Sequence, residues 1–343
     1  MRGGEKVLED LLELWPQARV FTLFHEPGTV SPLIESKPIA VSHLGRLPGV
    51  CSSYRDLLPL FPRAIETMDL GKPELVFSSS HAVAKGARAN GAPHICYCHT
   101  PMRYIWDAEG DYAPNLVRKL GLRAFRGRLR EWDRRSSDRV HHFVANSQFV
   151  ANRIRAYYGR PATVIYPPVD TAFFTPPREE RDFFLTVGAL VAYKRLDLTV
   201  DACTASGRRL IVVGEGPERK RLMRRAGSTV SFRGRVSPEE LRALYRGARA
   251  LIVAAREDFG IAAVEARCCG CPLVAFSESG AAETVRDGLN AVLFAGQTVE
   301  DLRRALDRSE RLQWDPATVR QGTDIFSRER FRSEIDHFVR THR

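Results

Sequence analysis

The most constraining feature of this sequence is an alternation of short apolar segments with segments of helical periodicity, which occurs in both halves of the chain. In the first half the apolar segments are residues 19–24, 39–44, 75–79, 94–98, 141–146 and 163–166. In the second half they are residues 183–187, 209–213, 230–233, 250–255, 272–276 and 291–294. Short apolar runs that alternate with helices are typical of parallel strands covered on both faces. The pattern predicts an α/β fold of two Rossmann-like domains, with ligands at the carboxyl ends of the strands, in a cleft between the domains.

Helices are predicted between the strands and at the end of the chain. Their apolar residues recur with helical spacing at 115–136, 148–158, 194–205, 218–226, 238–245, 299–309 and 327–343. Two proline pairs, Pro167-Pro168 and Pro176-Pro177, bracket a predicted linker. We predict an N-terminal domain at 1–168, a C-terminal domain at 169–325 and, at 326–343, a helix that crosses back to pack on the first domain.

The chain begins with Gly3-Gly4 and an amphipathic helical segment. In a doubly wound domain a hydrophobic strand normally precedes such a glycine turn. We therefore expect the first strand of the N-terminal domain to be missing, and we favour a start codon placed too late over a domain that lacks this strand.

Composition excludes several classes of protein. The chain has 343 residues, of which 44% are hydrophobic and 27% charged, as expected for globular domains. No apolar run approaches the roughly 20 residues of a membrane span, and the acidic N-terminal segment is unlike a signal peptide. The seven cysteines show no disulfide-framework spacing, which favours a cytoplasmic location. For Cys268, Cys269 and Cys271 we expect buried structural thiols and no metal site.

Positive charge is concentrated in one region. The net charge is +11, and residues 118–160 contain twelve Lys or Arg against three acidic residues, a local balance of +9. Such a region favours a polyanionic partner, namely nucleic acid, anionic lipid or a pyrophosphate-linked lipid. The alternative is a solvated helix face.

Two glutamates, Glu257 and Glu265, lie in a segment predicted to be strand, acidic turn and helix, the helix at 260–269. Free N–H groups at the helix N-terminus near Gly260 suit a phosphate. Glu265 lies two turns further on, where its carboxylate could accept hydrogen bonds from ligand hydroxyl groups. The alternative is that Glu257 caps the helix and Glu265 is a solvated helix residue.

Further polar or glycine-rich signals follow other predicted strands. Lys194 precedes a helix and could neutralise a phosphate, or simply begin a surface helix. His99 ends a strand, where an imidazole can be a ligand-facing donor or a structural group. The remaining signals are Gly214-Glu215-Gly216-Pro217, Arg233-Gly234-Arg235-Val236 and Ser279-Gly280 with Glu283.

Together these stretches resemble the retaining glycosyltransferases of family 4, which have the GT-B fold, and the resemblance covers nearly the whole chain. Its most specific part is the pair Glu257 and Glu265 with Phe259-Gly260, which matches that family's E-x7-E signature. The first half resembles a narrower group, the mannosyltransferases of bacterial O-antigen and exopolysaccharide synthesis. The matching stretches are RGGEKVLE, SSSHAVAKG and CYCHTPMRYIWD.

The resemblance implies a role for each matched position. Lys194, with Arg195, would stabilise the leaving diphosphate, and Glu257 would contact hydroxyl groups of the donor sugar. Glu265 would hold the ribose hydroxyl groups, and His99 would face the sugar and the incoming acceptor. The other implied donor-binding positions are Gly3, Gly4, Gly214, Gly216, Arg233, Gly234, Val236, Phe259, Gly260 and Ile261.

One position departs from the family. An Arg usually follows the glycine equivalent to Gly188, and here the residue is Ala189, so Arg195 is the candidate for the second cation. The sequence contains no Asp-x-Asp pair, so we expect neither a divalent metal nor another cofactor. Cations and helix N–H groups would stabilise the charge that develops on the leaving diphosphate.

The resemblance implies transfer of mannose from GDP-mannose to a lipid-linked glycan in bacterial surface polysaccharide synthesis. Residues 118–160 would then contact an anionic membrane surface at the inner face of the cytoplasmic membrane. A UDP- or ADP-sugar is the alternative donor, because the preference for GDP-mannose rests on resemblance alone. A nucleic-acid-binding protein is a remote alternative, since it leaves both glutamates and the glycine turns without a role.

Overall fold

The computed structural model describes residues 3–107, 116–176 and 181–343, with the backbone alone at 52, 53, 55 and 116–122. The chain divides into two compact units. Met1–Pro168 and Glu329–Arg343 form the first, here called the N-terminal unit, and Val169–Arg328 form the second, the C-terminal unit. The predicted boundary at 325/326 lies at 328/329 instead.

The N-terminal unit alternates strands and helices. Its strands are β1 (Val20–Thr22), β2 (Ile39–Val41), β3 (Val76–Ser80), β4 (His94–Cys98), β5 (His142–Ala145) and β6 (Thr163–Val164). Its helices are α1 (Gly3–Leu14), α2 (Pro32–Glu35), α3 (Val50–Ser53), α4 (Phe61–Glu66), α5 (Arg103–Trp106), α6 (Leu116–Ser137) and α7 (Gln148–Tyr158). The predicted start of α6 at Asn115 lies outside the described residues.

The strands of the N-terminal unit pair in parallel within two sheets. One sheet is β1-β2, and the other has the order β3-β4-β5-β6. Several strands are shorter than predicted. Their apolar residues continue beyond the last hydrogen bond to the neighbouring strand. Leu23 and Phe24, for example, follow β1 and pack against a core that includes Phe61 and Ile65. Apolar residues therefore extend past the end of the strand into the following loop, where they are still buried in part.

The last helix, α14 (Arg328–His342), belongs to the core of the N-terminal unit. Its apolar face packs in one cluster with α1 and with the strands β4 and β5, through Phe331, Ile335, Phe338 and Val339. Arg332 also forms ion pairs with Asp10, at 2.7 Å, and with Glu13. Periodic apolar residues on a charged helix thus account for its return to the first unit.

The C-terminal unit repeats the alternation around one larger sheet. Its strands are β7 (Phe183–Val187), β8 (Leu210–Val213), β9 (Val230–Gly234), β10 (Ala248–Val253), β11 (Leu273–Phe276) and β12 (Ala291–Phe294). Its helices are α8 (Leu196–Ala205), α9 (Arg219–Arg225), α10 (Pro238–Gly247), α11 (Ile261–Cys268), α12 (Val299–Arg311) and α13 (Pro316–Arg320).

The order of the parallel strands in this sheet is β12-β11-β10-β7-β8-β9. Counted from β7 as the first strand, this is the 3-2-1-4-5-6 order of the Rossmann fold. The order reverses between β7 and β10, which are adjacent in the sheet. The prediction of two Rossmann-like α/β domains is confirmed, and the rule for open sheets places a ligand site at this reversal.

The predicted start of a helix at Lys194 is wrong. Ala192–Lys194 form a 3-10 turn, and α8 begins at Leu196. Arg195, between them, has a left-handed backbone conformation with φ of 49°. Because residues other than glycine rarely adopt this conformation, no local pattern indicated that the helix would begin later. Among the described residues, no helix is both long and apolar enough to cross a membrane.

Candidate functional site

The carboxyl ends of β7 and β10 bring together two loops that are far apart in sequence. The loop after β7 carries Lys194, and the loop after β10 carries Glu257. The Lys194 Nζ atom forms a short ion pair with Glu257 Oε1, and the two side chains are 20% and 16% exposed. The structure therefore brings two predicted site residues into contact at the point where the strand order reverses.

The acidic turn itself is fixed by the segment after β11. The backbone N–H of Glu257 donates to Ser279 Oγ at 3.0 Å, and that of Gly280 donates to the Glu257 carbonyl at 2.8 Å. A Cβ atom on Gly280 would lie 2.0 Å from the carbonyl oxygen of Asp258. Only glycine fits there, so the Ser279-Gly280 signal has a structural explanation: it holds the turn that carries Glu257.

Helix α11 begins directly after this turn. Its N-cap, Gly260, has a φ of 87° and no side chain caps the helix, so the alternative of Glu257 as a capping residue is wrong. Phe259 is buried and packs on Phe326 with ring centroids 5.7 Å apart. The first N–H groups of a helix have no intrahelical acceptor. The first turn, from Ile261, thus offers donors to an anion beside the Lys194–Glu257 pair.

Glu265 lies inside the C-terminal unit rather than on its surface. It is 4% exposed, and its Oε2 atom accepts a hydrogen bond of 3.0 Å from the hydroxyl of Tyr245 on α10. Burial, together with the neighbouring Glu265, raises the pKa of Tyr245 well above its usual range. The alternative of a solvated helix residue is therefore wrong. The role of Glu265 toward ribose stays a prediction.

Tyr245 was missed by sequence reasoning. It occupies a position on the apolar face of α10, and only the packing of α10 against α11 shows that its hydroxyl meets a carboxylate. A tyrosine among apolar helix positions, one helix away from a buried acid, is the signal that could have indicated it.

The glycines that end β7, β8 and β9 pack against one another. The N–H of Gly214 donates to the carbonyl of Gly234 at 2.7 Å, and a Cβ on Gly214 would lie 1.9 Å from the carbonyl oxygen of Gly188. A Cβ on Gly216 would similarly lie 2.3 Å from the carbonyl oxygen of Leu190. Close approach of the loops thus explains these glycines, and contact with a ligand stays a prediction.

Three more predicted donor-binding residues lie at the same edge of the sheet. Arg195 forms an ion pair of 3.2 Å with Asp197 at the start of α8. Arg233 is exposed at the end of β9, and Val236 follows it, half-buried, in the turn that leads to α10. Their positions agree with a site at the carboxyl edge, and their individual roles stay predictions.

The N-terminal unit brings three predicted residues to the carboxyl ends of β3 and β4. The Nε2 atom of His99 is 2.8 Å from Ser79 Oγ, and a Cβ on Gly4 would lie 3.5 Å from the same nitrogen. Helix α1 begins at Gly3. Burial, with a smaller effect of His81, lowers the pKa of His99 to about 3, so its imidazole is neutral. Ser79, which sequence reasoning missed, holds the imidazole from the neighbouring strand.

The basic region 118–160 is partly used inside the N-terminal unit. Seven of its arginines contact backbone carbonyls or carboxylates of that unit: Arg126, Arg130, Arg134, Arg135, Arg139, Arg153 and Arg160. The side chains at 118–122 lie outside the described part of the chain. A fraction of the predicted positive surface is therefore structural.

The cysteine cluster of the C-terminal unit is buried. Cys268, Cys269 and Cys271 carry free thiols, and burial raises the pKa of Cys269 and of Cys271 to about 12. Thiols with such pKa values stay protonated at neutral pH, whereas metal binding needs thiolates. Within 3–107, 116–176 and 181–343, no group of three or more His, Cys, Asp or Glu side chains is arranged to hold a metal ion.

Two family models match the chain in succession. The model "Glycosyltransferase Family 4" matches residues 1–173, and "Glycosyl transferases group 1" matches residues 170–321. An uncharacterized glycosyltransferase of Methanocaldococcus jannaschii is 28% identical over 176 residues, which are 50% of this chain and 49% of that protein. D-inositol 3-phosphate glycosyltransferase of Mycobacterium sp. (strain KMS) is 27% identical over 242 residues, 62% of this chain and 52% of that one. The chain thus spans about half the length of these curated relatives.

Solved structures show the same fold. HepE of Anabaena, in complex with UDP and glucose, has a TM-score of 0.73 and 18% identity, covering 99% of this chain and 96% of that one. Sucrose-phosphate synthase of Thermosynechococcus elongatus has a TM-score of 0.74 and 18% identity, covering 98% and 91%. These likenesses establish the GT-B fold. Because the first family model covers half of the chain and the second continues from it, this chain belongs to the glycosyltransferases of family 4.

Proposed function

We propose that this protein is a retaining glycosyltransferase whose C-terminal unit binds a nucleotide sugar at the reversal of the strand order. The observation that carries the proposal is the contact of Lys194 with Glu257 beside the N-terminus of α11. A cation, a carboxylate and free N–H groups meet there, and a sugar diphosphate offers matching groups, namely hydroxyls and phosphate oxygens.

The proposed mechanism follows from charge. Cleavage of the bond between sugar and diphosphate builds negative charge on the leaving group, which a preorganised cation and N–H groups stabilise. Lys194 and the first turn of α11 supply these groups, and Arg195 adds a second cation where Ala189 has none. Glu257 accepts hydrogen bonds from the sugar and holds Lys194 in position before the donor arrives. These groups act without a divalent metal in this proposal.

Glu265 serves as the acceptor for the ribose hydroxyls. The hydrogen bond from Tyr245 occupies its Oε2 atom and orients the carboxylate from inside the unit. The sugar is transferred with retention, on the face from which the diphosphate leaves, and His99 of the N-terminal unit acts as a neutral hydrogen-bonding group toward sugar and acceptor.

Mannose from GDP-mannose is the first candidate donor, on the resemblance of the first half to bacterial mannosyltransferases. A UDP-sugar is the second candidate, since the neighbouring HepE structures contain UDP with glucose and UDP-glucose. A panel of GDP-mannose, UDP-glucose and ADP-glucose, tested for thermal stabilisation and slow hydrolysis, distinguishes them. At 100 times its Kd the true donor adds about 2.7 kcal/mol to the free energy of unfolding. A panel without any stabilising nucleotide sugar contradicts the proposed function.

The proposed acceptor is a lipid-linked glycan at the inner face of the cytoplasmic membrane. The exposed arginines of α6 would contact anionic headgroups, at positions Arg123, Arg128, Arg134 and Arg135. Arg134 and Arg135 also share the exposed carboxylate of Glu131. Each such residue near an anionic surface contributes about 1 kcal/mol. Flotation with anionic liposomes, compared with neutral ones, tests this, and equal recovery in both would rule out the basic surface as a membrane contact.

Substitution of Glu265 tests the nucleotide site directly. Glu265→Gln removes the charge that binds ribose hydroxyls, and we expect the affinity for the nucleoside diphosphate to fall about 10-fold. Glu300→Gln removes a charge from the exposed start of α12 and serves as the control. Calorimetric titration with the nucleotide gives both affinities. An unchanged affinity of the Glu265 variant would remove the most specific part of the proposal.

A further inference from the structure

Three arginines surround Asp107 in a cluster to which the proposed function assigns no role. Asp107 follows α5 on the carboxyl side of β4. Its Oδ2 atom accepts from Arg103 Nε at 3.0 Å, and its Oδ1 atom lies 2.8 Å from Arg153 Nη1. Its carbonyl oxygen accepts from Arg126 Nη2 at 3.0 Å. Three guanidinium groups therefore converge on a residue that carries a single negative charge.

Arg153 is the member whose hydrogen bonding is incomplete. It lies in the second turn of α7, which starts just after the carboxyl end of β5, and it is 8% exposed. Its Nε and Nη2 atoms are buried and make no hydrogen bond. A buried charged donor without an acceptor is costly, and such a group in a native protein requires an explanation.

Aromatic rings fix the orientation of this guanidinium. It lies over the rings of Tyr157, at 5.3 Å, and of Phe149, at 5.9 Å. Tyr157 in turn stacks on Trp106 with centroids 4.6 Å apart and an interplanar angle of 11°. The guanidinium therefore packs against two aromatic rings, one of which is itself stacked on a third. The unpaired donors are thus held in place before any ligand binds.

We propose that Arg153, together with Arg103 and Arg126, binds a phosphate or pyrophosphate group beside Asp107. The planar fork of a guanidinium matches two phosphate oxygens at once. A phosphate group carries about 1.5 to 2 negative charges at neutral pH. This charge suits a cluster in which two guanidinium groups contact the Asp107 carboxylate and a third contacts its carbonyl oxygen. The site lies on the side of the sheet where ligands bind in open α/β folds.

The identity of the phosphate group rests on the proposed function. A lipid-linked glycan carries its phosphate or pyrophosphate between lipid and sugar, so the cluster would hold the acceptor by that group. A free phosphate has the same chemistry. The experiment therefore compares inorganic pyrophosphate with farnesyl pyrophosphate, which adds an apolar chain to the same anion.

The test is calorimetric titration of each probe into the full chain in the presence of saturating nucleoside diphosphate, which closes the donor site to the probe. We expect binding to the wild type, about 10-fold weaker binding to Arg153→Lys and 10- to 100-fold weaker binding to Arg153→Met. Arg155→Met is the matched control, because Arg155 lies exposed on the same helix and its loss removes the same charge. Its affinity should stay within about 2-fold of the wild type.

Tighter binding of farnesyl pyrophosphate identifies a lipid-linked ligand, and equal binding of both probes identifies the free anion; either result supports the site. Arg103→Lys is a second variant expected to weaken binding, in case loss of Arg153 impairs folding, which circular dichroism reports. Absence of binding to the wild type, or an equal loss in Arg155→Met and Arg153→Met, would overturn the proposal. If the nucleotide itself does not bind, the proposed function fails, while titration of the probes alone still tests this cluster.

Discussion

Two lysine–carboxylate pairs, one in each unit, differ in their surroundings. In the N-terminal unit Lys85 Nζ lies 2.7 Å from Asp133 Oδ1, and the side chains are 1% and 0% exposed. The same ammonium donates to Ser136 Oγ at 2.7 Å. The other carboxylate oxygen accepts from Trp106 Nε1 at 2.7 Å and from the Tyr158 hydroxyl at 2.8 Å. This pair joins α5, α6 and α7 to the turn after β3.

The pair of Lys194 with Glu257 in the C-terminal unit is different. Both side chains keep contact with solvent, and they extend from loops rather than from the interior. A fully buried pair tied into several helices stabilises one arrangement of those helices, whereas a pair open to solvent can exchange its partner for a ligand. Burial, rather than the ion pair itself, separates the structural Lys85 from Lys194, which we propose binds the donor.

The largest effect is expected from Lys85→Met. The substitution leaves Asp133 buried without its counter-charge, and breaking a buried pair in this way costs about 3–5 kcal/mol. Urea unfolding measures the change. Lys72→Met, at an exposed position of the same unit, is the control and should change the free energy of unfolding by less than about 0.5 kcal/mol. If Lys85→Met lowers the free energy of unfolding by less than about 1 kcal/mol, the buried pair is not a major source of stability.

The substitution Lys194→Met should lower the catalytic rate while changing the free energy of unfolding little. Turnover of the nucleotide sugar should fall about 10²- to 10³-fold, because one preorganised donor to the leaving group is lost. The free energy of unfolding should change by less than about 1 kcal/mol, because partly exposed pairs contribute little. Steady-state rates and urea unfolding of one preparation give both numbers. Near-normal turnover would exclude Lys194 from the mechanism.

A loss of stability at acid pH is expected from His94, which lies near the buried pair. His94 is fully buried, with its Nε2 atom 2.9 Å from Ser78 Oγ. Burial first, and then His141, lower its pKa from 6.5 to about 4. Below pH 6.5 the unfolded chain therefore binds a proton that the folded protein does not, and stability decreases as the pH falls.

At pH 5 this difference amounts to about 2 kcal/mol of lost stability relative to pH 7. His94→Gln removes the titration, so its loss between pH 7 and pH 5 should be smaller by that amount. Urea unfolding at the two pH values measures it. Identical losses in variant and wild type would mean that His94 is protonated in the folded protein.

The comparison also shows what the sequence can predict. The alternation of apolar segments predicted the parallel strands of both units, and the end of an apolar run placed Glu257 at the carboxyl edge, because both features are local. The partners Lys85 and Asp133 are 48 residues apart, and neither differs locally from a surface residue. The hydroxyl of Tyr245 likewise reaches the Glu265 carboxylate only because α10 packs on α11. Local sequence patterns therefore do not predict which polar side chains pair when they are far apart in the chain.

The smallest effect is expected from Arg195→Gly, directly after Lys194. Arg195 has a φ of 49°, a conformation that costs a side chain other than glycine about 1–2 kcal/mol. Glycine removes this strain but also loses the ion pair with Asp197, so the free energy of unfolding should rise by up to about 1 kcal/mol. If Arg195 supplies the second cation to the diphosphate, turnover falls at the same time.

Asn90→Gly is the matched control for this last prediction. Asn90 has a φ of 51° in an exposed turn of the N-terminal unit, and asparagine tolerates this conformation better than arginine. We expect a smaller gain in stability there and unchanged turnover, measured by urea unfolding and steady-state rates. Higher stability with full turnover in Arg195→Gly would assign Arg195 to the structure of the loop alone and leave Lys194 as the cation of the site.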